Sequence, residues 1–174
     1  MARISFTINP ITGEKTFKEC QENFETIMKT LLYLQNAFPQ IIEDMEEPED
    51  RYGVDITIAF DADHIEAPDG QKGFAAFDTK NDKIYIAADI PEAEETLIET
   101  TAHEFMHYIQ KIKGKPYSEE EAEQFAQAAR YQVKRRITEN RAQMRTRRPI
   151  RRPSINPAQY VMSKKKRRKI VHGK

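Results

Sequence analysis

Near the start of the chain Ile4, Phe6 and Ile8 alternate with polar residues, the period-two pattern of a strand with one buried face. The Asn9-Pro10 and Thr12-Gly13 pairs then predict a turn. Phe17, Cys20, Phe24, Ile27, Leu31, Leu34 and Phe38 recur every three or four residues, which lays one apolar stripe along a helix. Thr16-Phe17-Lys18-Glu19 reads as its capping box and Phe38-Pro39 as its end, with a resumption through Met45 as the alternative. Residues 43–51, interrupted by Pro48, form a charged connection.

The strand period returns over residues 54–60 (VDITIAF), and the polar run 61–72, with Pro68 and Gly70, predicts a loop. Residues 73–77 and 83–87 are two short strands joined through Asp78-Thr79-Lys80-Asn81-Asp82, a hairpin signal. Pro91 followed by acidic residues opens a helix, because its fixed φ and the negative charges both suit a helix N-terminus. Gly114 and Pro116 end that helix. A second capping box, Ser118-Glu119-Glu120-Glu121, starts a long helix that runs to about Arg145. The expected fold class is α+β. A small, mostly antiparallel sheet packs on helices over residues 1–145, and a tail, 146–174, is disordered when free.

Charge divides the chain sharply. Residues 1–129 hold 11 Lys and Arg against 27 Asp and Glu, a net of −16, while residues 130–174 hold 17 against one, a net of +16. Two basic clusters, RTRRPIRR and KKKRRK, lie between Arg145 and Lys169. Such a segment is expected to contact DNA or RNA phosphates in a salt-sensitive, sequence-independent way. A nuclear localisation signal and docking onto the chain's own acidic body are the alternatives. No apolar run approaches the ~20 residues of a membrane span. With Cys20 as the only cysteine and no leader-like start, a reducing compartment is expected, cytoplasmic or, in a eukaryotic host, nuclear.

The candidate chemistry lies in His103-Glu104-Phe105-Met106-His107. At about 100° per residue, four residues return His107 to within ~40° of His103 one turn further on, so both imidazoles can grip one ion. Glu104 then stands beside the metal as general base, while Ile98, Ala102, Phe105 and Ile109 bury the neighbouring face. A catalytic zinc site needs a third protein ligand and leaves its fourth position to water. His64 and His172 are the other histidines, and neither sits on the following helix. That helix is rich in carboxylates, although acids at a helix N-terminus are also favoured by the dipole alone.

The run HEFMHYIQ (residues 103–110) followed by EEEAEQFA (residues 119–126) resembles the gluzincin zinc metallopeptidases, most closely their minigluzincin and phage-type small domains. The resemblance covers residues 73–127. It implies a zincin-like fold, a bound Zn2+ and peptide-bond hydrolysis. Aligned on Ala122 and Phe125, it makes Glu119 the third ligand, with Glu121 as substitute, and Glu123 the supporting acid one turn on. The family usually has Asp or Asn at that last position. It also implies an extended protein or peptide substrate paired with the strand at residues 73–77, where Phe74 and Phe77 are equally readable as core. Tyr108, Tyr117 and Tyr131 are equivalent candidates for stabilising the oxyanion. The leading reading is a small zinc metallopeptidase held to nucleic acid by its tail. The alternative is a nucleic-acid-binding or particle-associated protein with a structural or vestigial zinc site. A third is a latent enzyme whose tail covers the cleft.

Overall fold

The computed structural model describes residues 1–16, 18–67, 69–91 and 93–146. The expectations for Phe17, Pro68, His172 and the basic segment 147–174 lie outside the described residues. The elements run β1 (Arg3–Ile11), α1 (Gln21–Ile41), β2 (Arg51–Ala59), β3 (Ile65–Glu66), β4 (Lys72–Gly73), β5 (Ala75–Asp78), β6 (Lys83–Ala87), α2 (Ala93–Ile112) and α3 (Glu119–Thr146). The chain divides into two compact units, Met1–Arg136 and Ile137–Lys174. The first holds the sheet, α1, α2 and the start of α3. Of the second, the described residues are the last turns of α3.

The fold is α+β, but its sheet is mixed rather than mostly antiparallel. Four strands lie in the order β1-β2-β6-β5, and both β1–β2 and β2–β6 are parallel. Only the β5–β6 hairpin is antiparallel in this sheet. The reason is connectivity: α1 carries the chain back between β1 and β2, so the two strands run the same way. The register sets Ile8 opposite Ile56 and Ile56 opposite Ile84, so isoleucines line up across three strands.

Several local expectations yield to this packing. β1 continues through Pro10 to Ile11 instead of turning, because it is an edge strand and a missing N–H is tolerated there. The Glu19 carboxylate does accept the Thr16 N–H at 2.8 Å, yet it closes a turn ahead of the helix, which begins at Gln21. Pro39 sits within the last turn of α1. Phe38 beside it is fully buried, with Tyr52 at 5.2 Å and Phe105 at 6.5 Å, and that burial holds the helical path through the proline. β3 lies inside the expected loop 61–72 and pairs antiparallel with β4, which sets Ile65 opposite Gly73, so the strand expected over 73–77 runs instead from Ala75 to Asp78.

One core joins these layers. Ile27, Leu31, Leu34 and Phe38 of α1 meet Ile56, Ile58, Ile84 and Ile86 of the strands and Leu97, Phe105 and Ile109 of α2, all at most 2% exposed. The α2–α3 turn follows from its glycine: Gly114 has φ +65°, and its N–H and that of Lys115 bond back to Lys111 and Gln110 carbonyls at 2.9 Å. Ser118 Oγ then accepts the Glu121 N–H at 3.2 Å and starts α3 as anticipated. Arg130 reaches Glu99 at 2.7 Å and draws α3 against α2. Among the described residues no helix is long and apolar enough to cross a membrane.

Candidate metal centre

α2 is fixed by its apolar face, where Ala102, Phe105 and Ile109 are fully buried. His103 and His107 therefore stand on successive turns of the opposite side, with rings 4.8 Å apart and nearly perpendicular. The tight α2–α3 turn brings the first residue of α3, Glu119, over them. His103 Nε2 lies 3.1 Å from His107 Nε2 and 3.1 Å from Glu119 Oε2, and His107 Nε2 lies 3.2 Å from Glu119 Oε1. Four donors bonded at about 2.0–2.1 Å around one ion stand about 3.3–3.4 Å apart in a tetrahedron. The observed spacings approach that figure. His103, His107 and Glu119 thus form a group that can hold a metal ion.

The electrostatics suit that role. Burial, and then the neighbouring His107, hold the His103 pKa below its ordinary value, which favours the neutral imidazole that binds metals. Glu104 is pushed up to about 7, chiefly by burial and further by Glu119. His107 and the Phe77 backbone N–H bonded to its carboxylate act the other way. That hydrogen bond ties Glu104 to the edge strand β5.

The structure separates the carboxylates at the start of α3, with Glu119, the ligand that the resemblance implies, on the side of the histidines. Glu119 joins the histidines. Glu121 turns away, and its Oε2 accepts a hydrogen bond from Gln110 Nε2 at 2.8 Å, so it does not complete the capping box. Glu123 lines a cavity beside His103 and acts on it through space. His64 is exposed and bonds to Asp63, outside the group. The tyrosines separate as well. Tyr108 is 2% exposed and donates to the Gly53 carbonyl, while Tyr131 is 67% exposed on α3. Tyr117 is half exposed, and its ring lies 5.4 Å from that of His107.

Two cavities flank the group. One of about 420 Å³ is lined by Phe74, Thr100, Glu123 and Ala126, and one of about 310 Å³ by Lys72, Phe77, His107 and Tyr117. Gly73, Ala75, His103, Glu104 and Glu119 belong to both, so the two spaces meet at the candidate centre along the sheet edge. Sequence reasoning gave no role to Gln110, which is fully buried and bonds to His107 Nδ1 at 3.0 Å. Its signals were its place one turn beyond His107 and at the end of the HEFMHYIQ run. No family model, curated protein or solved structure matches the chain. Any reading of this centre therefore rests on its own geometry.

Proposed function

We propose that the protein is a zinc-dependent peptidase of the gluzincin type, with His103, His107 and Glu119 as ligands and Glu104 as general base. The observation that carries this reading is the convergence of two imidazoles and a carboxylate beside the half-buried Glu104, where two cavities meet at an open strand edge. The donor set, two nitrogens and one carboxylate, is that of a catalytic zinc site with its fourth position open. Bound there, zinc supplies Lewis-acid polarisation of the scissile carbonyl and draws the pKa of a water towards ~7. Glu104 takes the proton of the attacking water on its carboxylate and passes it to the leaving amine. Tyr117, whose ring lies beside that of His107, would donate its phenol hydrogen to the developing oxyanion. An extended peptide would lie along residues 73–77, with side chains entering the two cavities alternately.

Glu104→Gln tests this directly. The variant is expected to keep one zinc per chain and to lose cleavage of an unstructured protein such as casein. Cleavage at the wild-type rate would reject the mechanism.

The basic segment from Arg145 to Lys169 supports a second element of the reading, binding to DNA or RNA phosphates. Ending the chain at Arg145 should then abolish salt-dependent retention on nucleic acid and leave proteolysis intact. Lost retention with no proteolysis on any substrate would instead favour a nucleic-acid-binding protein with a structural zinc site. A rise in proteolysis would point to a tail that covers the cleft.

A further inference from the structure

Gln110 lies one turn beyond His107, and its side chain is fully buried. A primary amide offers two donor hydrogens and two acceptor lone pairs. Here all four are used. Oε1 accepts the Ser118 N–H at 3.3 Å and faces His107 Nδ1 at 3.0 Å, while Nε2 donates to the Ser118 carbonyl at 3.1 Å and to Glu121 Oε2 at 2.8 Å.

Three of those partners have fixed roles. A backbone N–H can only donate, and a carbonyl or an ionised carboxylate can only accept. Reversing the amide would set its NH2 against the Ser118 N–H and its oxygen against two acceptors, around a side chain that is itself fully buried. Ser118 and Glu121 therefore determine which end of the amide meets His107. It is the oxygen, and an oxygen that only accepts requires His107 Nδ1 to carry the hydrogen. The lone pair then sits on Nε2, the atom that lies 3.1 Å from His103 Nε2 and 3.2 Å from Glu119 Oε1.

We infer that Gln110 is a positioning residue. It locks His107 into the Nδ1–H tautomer, and through Ser118 and Glu121 it holds the first turn of α3 where Glu119 can reach the same ion. The inference rests on the metal-centre reading but not on peptide hydrolysis. A partner of this kind, bonded to the distal nitrogen of a ligand histidine, is worth about 10–100-fold in metal affinity. An amide that merely satisfied a buried turn would have no bearing on the tautomer.

The test uses the full chain and zinc alone. Long-range ¹H–¹⁵N NMR at about pH 8 reads which His107 nitrogen bears the hydrogen before zinc is added, and competition with a chromophoric chelator reads the zinc affinity. In wild type the hydrogen is expected on Nδ1. Gln110→Met should lose that preference and bind zinc about 10–100-fold more weakly. The double change Gln110→Glu with Glu121→Gln keeps an acceptor towards His107 and restores a donor from position 121, although it sets a carboxylate oxygen against the Ser118 carbonyl, so it should recover the tautomer and part of the affinity. A wild-type hydrogen on Nε2 overturns the inference, whether or not Gln110→Met folds. So does zinc binding by Gln110→Met within about twofold of wild type, or a double variant with the tautomer lost. Zinc bound and tautomer as expected, with no peptide cleaved, would sink the peptidase and support this role of Gln110. No zinc bound by wild type would sink both.

Discussion

Two segments of this chain carry the same helix-start signal, a hydroxyl residue followed three positions later by glutamate, and they end differently. At the exposed Thr16 and Glu19 the carboxylate returns to the Thr16 N–H, yet the helix begins only at Gln21. At Ser118 and Glu121 the hydroxyl accepts the Glu121 N–H and the helix begins at once, but the carboxylate is given to Gln110. The first carboxylate is exposed and stays with Thr16, whose N–H and hydroxyl both reach it. The second lies beside a buried amide whose donor would otherwise go unmet, and leaving such a group unpaired costs about 1–3 kcal/mol. The shared motif thus becomes a plain turn in one place and part of a ligand cradle in the other.

Breaking the second segment at Glu119 should have the largest effect. Glu119→Ala is expected to weaken zinc binding by more than about 100-fold, beyond the range of outer partners, as read by equilibrium dialysis with metal analysis. Glu19→Ala in the first segment should bind zinc like wild type. Retention of zinc by Glu119→Ala would remove the metal role from the second segment altogether. Glu121→Ala comes next. It leaves the Gln110 amide short of an acceptor, so urea unfolding should show a loss of about 1–3 kcal/mol and zinc affinity should fall about tenfold. If Glu121→Ala and Glu19→Ala cost the same, the contrast between the segments is illusory. Ser118→Ala should be smallest, about 1 kcal/mol of stability from the lost cap, with zinc affinity nearly unchanged. A large loss of zinc in that variant would mean that the hydroxyl serves the centre and not the helix.

The parts of the fold that were legible are those set by near neighbours along the chain. The α2 and α3 boundaries follow from Pro91, Gly114 and Ser118, and the β5–β6 hairpin from the polar run between its strands. Where a distant partner decides, local reading failed. Pro10 and Pro39 both signalled breaks, yet an open sheet edge tolerates the first and the packing of Phe38 against Tyr52 and Phe105 overrides the second. The parallel pairing of β2 with β1 and β6 has no local signature, because isoleucine-rich strands pair acceptably in either direction. Tyr108, Tyr117 and Tyr131 were equivalent on paper and are separated only by burial.

Sequence alone determined that His103 and His107 share one side of a helix, since helical periodicity leaves no other arrangement for a four-residue spacing. It also determined that carboxylates would crowd the start of the next helix. Tertiary structure decided which of them faces the histidines, because that depends on how sharply the chain turns at Gly114 and on where the buried Gln110 amide draws Glu121. It likewise decided that Glu104 meets the edge of β5 between two cavities. Periodicity is a property of neighbours along a chain, whereas convergence at a point requires segments far apart in sequence to be packed against one another.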